Sequence, residues 1–224
     1  MKPPMTKKRV GVLISGRGSN LGALIEACKD HDYPAKIVLA VSNVPGAQGL
    51  LRAEAGLIPA LVIDHKEFAS REAFDAALDQ VLQEAGVELL CNAGFMRLHT
   101  EKFVRRWWNR HLNIHPSLLP MFKGLHTHTR VLDEGVMITG TTVHFVRPEM
   151  DTGPIVAQAA VPVLPGDTPD TLAARVLEAE HRLYPLALGL VASGEVRVEG
   201  EQVVGMTQVR AQPPLFSPPD ERFD

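Results

Sequence analysis

The sequence predicts an α/β fold, with a mostly parallel, doubly wound sheet that carries helices on both faces, followed by a long C-terminal helix and a β-ribbon. In the first half of the chain, short apolar runs of β-branched character alternate with segments whose apolar residues recur at helical spacing. This alternation is typical of a parallel sheet wound with helices. A helix start at Asp167-Thr168-Pro169 opens the long final helix, because proline suits the first helical position.

The elements follow one another with clear start and stop signals. Strands are predicted at residues 9–14, 36–42, 60–63, 89–93, 111–115, 141–145 and 155–163. Helices are predicted at residues 21–28 after a cap at Ser19 or Asn20, then at 47–55, 70–85, 101–108 and 129–134, and from Pro169 onward. Pro185 is expected to kink or break the last helix, because a helix interior needs the backbone N–H that proline lacks. Residues 195–204 are predicted to form a two-stranded ribbon, and residues 206–224 a loosely held tail.

Length and composition favour one elaborated domain over residues 1–224. With 45% hydrophobic and 22% charged residues, the composition is that of an ordinary globular protein. A formal net charge of -3 provides no basic field, so neither nucleic acid nor a membrane is expected as a partner. Cys28 and Cys91 form no C-x-x-C motif, which indicates reduced thiols in the cytoplasm. No apolar run is long enough to act as a signal segment or to span a bilayer.

Asn113 and His115 are the strongest candidates for chemistry. They lie two apart on the fifth predicted strand and therefore point to the same face. Pro116 should end that strand and leave both side chains at its carboxyl end, where open α/β sheets bind ligands. Asp151 lies in the turn-rich loop 148–154, which we expect to return to this edge. His115 would then act as an acid, base or electrophile, Asn113 would donate a hydrogen bond, and Asp151 would orient and charge the imidazole. The alternative is a core histidine beside a turn asparagine.

Two loops that follow predicted strands are candidate binding segments. Residues 15–20 lead into a helix N-terminus, where backbone N–H groups and the helix dipole suit a phosphate. This loop lacks both the third glycine of the dinucleotide fingerprint and the Gly-Lys-Ser/Thr of a P-loop, so neither a nicotinamide cofactor nor ATP is indicated. Met96 and Leu98, in the loop 94–98, are expected to line an apolar slot for a planar heterocycle. For both loops the alternative is a simple packed connection.

Five histidines fall in the middle of the sequence, at positions 111, 115, 126, 128 and 144. A metal site is not expected, because no H-E-x-x-H motif or cysteine partner accompanies them. The histidines also fall on different predicted elements.

Four motifs together resemble one family. They are Gly16-Arg17-Gly18-Ser19-Asn20-Leu21, Asn113-Ile114-His115-Pro116-Ser117-Leu118-Leu119-Pro120, Gly124-Leu125-His126-Thr127-His128 and Asp151-Thr152-Gly153-Pro154. From about residue 9 to the ribbon, the chain resembles the folate-dependent formyltransferases. The second and fourth motifs are shared by folate-linked formyltransferases and hydrolases, whereas the first and third are similar to those of the phosphoribosylglycinamide formyltransferases.

The resemblance implies transfer of a formyl group from 10-formyltetrahydrofolate, as a co-substrate, to the amine of N1-(5-phosphoribosyl)glycinamide in purine biosynthesis, without a metal. The rivals are a 10-formyltetrahydrofolate hydrolase and a non-catalytic nucleotide- or folate-binding module. A hydrolase of this kind would carry an additional N-terminal regulatory domain, and a methionyl-tRNA formyltransferase an additional C-terminal domain; we expect neither here. The implied partners are the two small-molecule substrates, and the implied state is a monomer or homodimer in the cytoplasm.

The resemblance also implies a role for each matching position. The catalytic residues would be Asn113, His115 and Asp151. Glycinamide ribonucleotide would be bound by Gly18, Ser19, Asn20, Leu177, Glu178, Ala179 and Glu180. Folate would be bound by Arg71, Met96, Arg97, Leu98, His99, Asn113, Arg147, Pro148, Glu149, Met150 and Asp151. Residues 9–115 would then form a phosphate-binding half, and residues 116–205 would complete the folate site.

Overall fold

The computed structural model describes residues 6–205 and 215–218. Its strands are β1 (Lys8–Ile14), β2 (Ala35–Ser42), β3 (Ala60–Val62), β4 (Leu89–Asn92), β5 (His111–His115), β6 (Ile138–Phe145), β7 (Ile155–Pro162), β8 (Arg197–Glu199) and β9 (Gln202–Val204). Within the described residues, the first seven strands form one sheet in the order β3-β2-β1-β4-β5-β6-β7. β1 to β5 run parallel, whereas β6 and β7 are each antiparallel to their neighbours. The predicted mostly parallel sheet is therefore confirmed.

The α-helices of the described residues are α1 (Ser19–Cys28), α2 (Gln48–Ala55), α3 (Arg71–Glu84), α4 (Glu101–Arg106), α5 (Thr127–Asp133) and α6 (Pro169–Ser193), and a short 3-10 helix covers His65–Glu67. Every predicted helix and strand is present, with ends shifted by up to three residues. In this part of the chain no helix combines the length and the apolar character needed to cross a bilayer.

Apolar cores lie on both faces of the sheet, because successive strand residues point to opposite sides. Val10, Val12 and Ile14 of β1 pack in one core with side chains from α1 and α6. Leu13, between them, packs in a second core with side chains from α3 and α4. Each such fully buried side chain contributes about 1.5–3 kcal/mol relative to an exposed one. The predicted helices on both faces are thus confirmed, and the two cores fix the strands whose carboxyl ends carry the site.

Pro185 does not break α6, which continues through it to Ser193, so of the predicted kink or break the break is wrong. An interior proline costs a helix about 3 kcal/mol. Tyr184 and Leu188 beside it are fully buried in the core, and their burial offsets that cost. The Pro185 carbonyl oxygen also accepts a hydrogen bond from the Tyr33 hydroxyl at 2.7 Å.

The chain turns after α6 at Gly194, whose φ of 77° is in the left-handed region that glycine tolerates at helix ends. β8 and β9 then form the predicted antiparallel ribbon. Of the predicted loose tail, only residues 215–218 are described, so the rest of that prediction lies outside the described residues.

Candidate active site

The carboxyl end of β5 presents Asn113 and His115 to a cavity of about 660 Å³. The strand ends at His115, immediately before Pro116, which has no N–H to continue the ladder. In the register of β4 and β5, Asn113 lies beside Asn92, which also lines the cavity. The predicted placement of Asn113 and His115 at this edge is confirmed.

The loop between β6 and β7 brings Asp151 to the same cavity. A Cβ at Gly153 would lie 1.7 Å from the carbonyl oxygen of Phe145, so only glycine fits and the loop is anchored there. Asp151 has a φ of 54°, a left-handed conformation that aspartate adopts more readily than most residues. Its Oδ2 accepts a hydrogen bond from the Gly124 N–H at 2.9 Å and lies 3.4 Å from Nδ1 of His115. The predicted return of this loop to the sheet edge is confirmed.

Both ring nitrogens of His115 face acceptors. Nε2 lies 2.9 Å from the Phe122 carbonyl oxygen, which can only accept, so we assign a proton to Nε2. Burial alone would raise the pKa of Asp151, but the imidazole of His144, the Gly124 N–H and His115 hold that pKa below its ordinary value. Nδ1 of His115 therefore faces a carboxylate.

Burial lowers the pKa of His115 below its ordinary value, although the Phe122 carbonyl and the Asp151 carboxylate oppose this shift. The imidazole is therefore neutral at neutral pH in this structure. The expectation that Asp151 keeps His115 charged is wrong here, because burial outweighs the attraction between them.

His144 completes this group, although it is absent from the predicted site. It pairs directly with Asn113 in the register of β5 and β6, and its Nε2 lies 3.2 Å from Asn113 Nδ2 and 3.6 Å from Asp151 Oδ1. Nδ1 of His144 lies 3.0 Å from the Phe145 carbonyl oxygen, which can only accept, so we assign a proton to Nδ1 and let Nε2 accept from the Asn113 amide. Asn113 keeps its second N–H and its carbonyl oxygen for a ligand. Antiparallel pairing of the two predicted strands would have placed His144 opposite Asn113.

The N-terminus of α1 contributes to the cavity through Asn20. Gly18 precedes the helix with a φ of 65°, and a Cβ there would lie 2.5 Å from the Cα of Gly49, so the loop packs tightly against α2. The predicted cap at Ser19 or Asn20 is wrong, because both lie inside the first turn and no side chain caps α1. Asn20 instead donates a buried hydrogen bond from Nδ2 to Glu180 Oε2 at 2.7 Å. The backbone N–H groups of this turn are left to bind a ligand.

Most of the predicted binding residues line the cavity. Those that do are Asn20, Met96, Arg97, Leu98, His99, Asn113, Arg147, Pro148, Met150, Asp151 and Glu180. Those that do not are Gly18, Ser19, Arg71, Glu149, Leu177, Glu178 and Ala179. Of residues 177–180, the helical period turns only Glu180 to the cavity, and Ala179 packs against a small separate core. Glu149 lines a neighbouring cavity of about 370 Å³, and Arg71 is exposed at the start of α3.

Other lining residues carry no predicted role. They are Asn92, Gly94, Phe95, Val104, Ile114, Pro116, His144, Val146 and the segment Gly124–His128. The segment Gly124–His128 is one of the four motifs of the family resemblance, but the sequence did not indicate that it lines the cavity. Met96 and Leu98 are 66% and 55% exposed, as the predicted apolar slot requires. Among the described residues, no three histidine, cysteine or acidic side chains are grouped closely enough to hold a metal ion.

The arrangement has the parts needed for acyl chemistry at a carbonyl. A neutral imidazole lies between two acceptors, and an amide N–H lies beside it at the same cavity wall. The carboxylate is ionised, and the helix N-terminus suits an anionic group of a substrate.

Comparison with known proteins gives four consistent findings. The sequence model of the formyl transferase family matches residues 8–188. The chain is 57% identical over 192 residues to the trifunctional purine biosynthetic protein adenosine-3 of Gallus gallus, covering 86% of this chain but only 19% of that longer protein. It is 43% identical over 192 residues to the phosphoribosylglycinamide formyltransferase of Haemophilus influenzae, covering 86% of this chain and 91% of that protein. The crystal structure of glycinamide ribonucleotide transformylase 1 from Symbiobacterium toebii matches with a TM-score of 0.86 and 47% identity, covering 88% and 93% of the two chains.

Proposed function

The chain belongs to the formyl transferase family, and we propose that it transfers the formyl group of 10-formyltetrahydrofolate to the amine of glycinamide ribonucleotide, in purine biosynthesis. The observation that carries the proposal is the convergence of Asn113, His115 and Asp151 on one cavity, with 3.4 Å between the imidazole and the carboxylate. The names of the relatives from H. influenzae and S. toebii state formyl transfer to glycinamide ribonucleotide, and both are matched over most of their length.

Glycinamide ribonucleotide binds, in this proposal, between α1 and α6. Its phosphate accepts hydrogen bonds from the backbone N–H groups of Gly18, Ser19 and Asn20, aided by the helix dipole. Glu180 accepts a hydrogen bond from a ribose hydroxyl. Burial raises the pKa of Glu180, and the Asn20 amide opposes that shift by donating to the carboxylate. A buried acceptor fixed in this way discriminates strongly for a hydroxyl, because its hydrogen-bonding capacity would otherwise stay unsatisfied.

The formyl donor lies against two loops, residues 94–99 and 146–151. Met96, Leu98 and Met150 are 66%, 55% and 47% exposed at the cavity, and a planar pterin ring would cover them. Backbone donors and acceptors of the first loop pair with the polar edge of the ring. A folate-derived donor is implied by the family, and 10-formyltetrahydrofolate is the specific donor we propose.

The reaction begins when the neutral amine of glycinamide ribonucleotide attacks the formyl carbon. A new C–N bond forms, and the tetrahedral centre carries negative charge on oxygen and positive charge on the attacking nitrogen. The bond from the formyl carbon to N10 of the folate then breaks, while a proton passes from the attacking nitrogen to N10. Water held by Asp151 carries this proton.

Asn113 and His115 stabilise the developing oxyanion in different ways. The second N–H of Asn113 donates to it directly, and a well-placed donor of this type contributes about 2.7–4 kcal/mol. His115 is neutral before the substrates bind, because burial lowers its pKa. It takes up a proton in the complex, where Phe122 and Asp151 each accept from one ring nitrogen. The resulting cation lies beside the oxyanion and stabilises it electrostatically.

Both halves of the chain contribute to this site, since Asn113 and His115 come from residues 9–115 and Asp151 and Glu180 from residues 116–205. We place the reaction in the cytoplasm. In support, Cys28 and Cys91 are the only cysteines of the sequence and form no C-x-x-C motif, which suits a reducing compartment.

The proposal is tested by incubating the purified chain with both substrates and identifying the N-formyl product by mass spectrometry. Formate release is measured with and without glycinamide ribonucleotide. The expected result is formylated product when both substrates are present, with little formate in the absence of the acceptor. Formate released at the same rate without acceptor would identify a hydrolase. Binding of both ligands without any product would identify a non-catalytic module.

A further inference from the structure

The β-ribbon after α6 holds a residue that bears on the formyl-donor site, although it lies beyond residue 188, where the family match ends. We propose that Glu201, in the turn between β8 and β9, is a positioning residue that shapes the donor side of the cavity by fixing the guanidinium of Arg147. This inference rests on the proposed function, since it concerns the loop against which the formyl donor lies.

The guanidinium of Arg147 makes hydrogen bonds to protein groups through all three of its nitrogens. The side chain is 4% exposed, and Nε donates to Glu201 Oε2 at 2.8 Å. Nη2 donates to Asn109 Oδ1 at 2.9 Å and Nη1 to the Val146 carbonyl oxygen at 3.0 Å. The guanidinium lies 3.9 Å above the ring of Trp108, in cation–π geometry. The family resemblance implies a folate-binding role for Arg147, and these contacts hold its guanidinium inside the loop.

Arg147 begins the segment that carries Met150 and Asp151. Its Cγ lies 3.1 Å from the position that a Cβ would take at Gly153, so its stem packs against the anchor of this loop. Arg147 also lines the cavity, so its position helps to set the donor-side wall. A shift of the guanidinium would therefore move that wall.

Glu201 is the only carboxylate within salt-bridge distance of Arg147 among the described residues. Its own side chain is 62% exposed, and an ion pair between two exposed groups contributes little. What distinguishes this pair is the burial of the cation, because a buried charge left without its partner is strongly unfavourable. We therefore expect loss of Glu201 to displace Arg147 toward water.

The ribbon is well placed to hold Glu201 still. Val198 of β8 and Val203 of β9 pack against the main apolar core, and β9 contacts β7. Glu199, by contrast, pairs within the described part of the chain only with Arg197 of the same strand, and both side chains are more than half exposed. Glu199 thus provides a matched control in the same ribbon.

The test compares Glu201→Gln with Glu199→Gln in steady-state kinetics. Glu201→Gln is expected to raise KM for the formyl donor about tenfold, equivalent to about 1.4 kcal/mol. KM for glycinamide ribonucleotide should not change, because among the described residues Glu201 pairs with Arg147 and not with Glu180 or α1. Glu199→Gln should match the wild type in both. If Glu201→Gln has the donor KM of Glu199→Gln, or raises both KM values together with a fall in Tm, the inference is overturned.

A double-mutant cycle with Arg147→Gln shows whether Glu201 acts through Arg147. Once Arg147 is replaced, adding Glu201→Gln should raise the donor KM no further; independent, multiplying effects would overturn the inference. The same cycle is repeated without turnover by measuring the Kd of each variant for 10-formyltetrahydrofolate at equilibrium. If the wild type makes no formylated product, the proposed function fails, while these Kd values still decide the role of Glu201.

Discussion

Replacing Asp151 with asparagine tests the electrostatic part of the mechanism with little change of shape. Asparagine keeps an oxygen that can accept from the Gly124 N–H, which lies 2.9 Å from Asp151 Oδ2. The change removes the negative charge whose Oδ2 lies 3.4 Å from Nδ1 of His115. The side chains of His115 and Asp151 are only 7% and 9% exposed, so solvent and salt screen their interaction weakly.

The expected effect follows from the separation of the two charges. Unit charges about 4 Å apart interact by about 4 kcal/mol at an effective dielectric constant of about 20. At about 1.36 kcal/mol per tenfold change in rate, loss of Asp151 should lower kcat by about 10³-fold at neutral pH. The carboxylate raises the pKa of His115 against the effect of burial, so the variant imidazole takes up its proton only at lower pH. The deficit should therefore shrink as the pH falls.

The assay is kcat at saturating concentrations of both substrates over a series of pH values. Equilibrium binding of the formyl donor should be retained, which separates lost catalysis from a lost site. Asp133→Asn, which makes the same change at an exposed position at the end of α5, should behave as the wild type. A wild-type kcat for Asp151→Asn at neutral pH, or a deficit that grows as the pH falls, would refute the reasoning.

Three other substitutions test the anchor, the ribonucleotide site and the start of α6. Gly153→Ala places a methyl group 1.7 Å from the Phe145 carbonyl oxygen, and should lower kcat by displacing the loop that bears the carboxylate. Glu180→Gln removes a charged acceptor worth about 1.5–3 kcal/mol, and should raise KM for glycinamide ribonucleotide roughly ten- to a hundredfold without changing the donor KM. Hydrogen bonds from Arg175 hold the pKa of Asp167 far below its ordinary value. In Asp167→Asn, the loss of Tm should therefore be full above the ordinary aspartate pKa and vanish as the pH falls through the folded-state value.

Each of these substitutions has a matched control in the chain. A Cβ at Gly22 would meet only the side chain of Arg52, at 3.5 Å, so Gly22→Ala should keep its activity. Glu178 and Asp170 are exposed on α6, and their amide variants should match the wild type in KM and Tm. Equal KM increases for Glu178→Gln and Glu180→Gln would contradict the placement of the ribonucleotide. A pH-independent loss of Tm in Asp167→Asn would contradict the charge argument.

The elements of the fold could be predicted because their signals are local. Thr168 and Gly194 mark the ends of α6 as the sequence indicated, since capping and left-handed turns depend on neighbouring residues. The errors arose where a distant partner decided the outcome. Pro185 is tolerated because Tyr184 and Leu188 beside it are fully buried, and hydrophobic periodicity in the sequence does not show how deeply a side chain is buried. The amide of Asn20, expected to cap α1, is taken by Glu180, which lies 160 residues further along the chain.

The same distinction applies to the site. The placement of Asn113 and His115 followed from the two-residue period of a strand and a proline stop, and that of Asp151 from a turn-rich loop. The protonation state of His115 did not follow, because it depends on how deeply the ring is buried. The hydrogen bonding of the Arg147 guanidinium did not follow either, because its partner Glu201 is 54 residues away, in a ribbon that carries no sequence motif.

Helix α6 joins the binding surface to the interior within about one turn. Glu180 faces the cavity, and Tyr184, four positions later, is fully buried, with its one hydroxyl proton shared between the carbonyl oxygens of Asn92 at 2.9 Å and Leu112 at 3.3 Å. This contact holds α6 against β4 and β5, and β5 carries the Asn113 amide and the His115 imidazole at its end. In a denaturant titration, ribonucleotide affinity and tyrosine burial should accordingly be lost in a single cooperative transition, so turnover would report the fraction of molecules whose interior is intact.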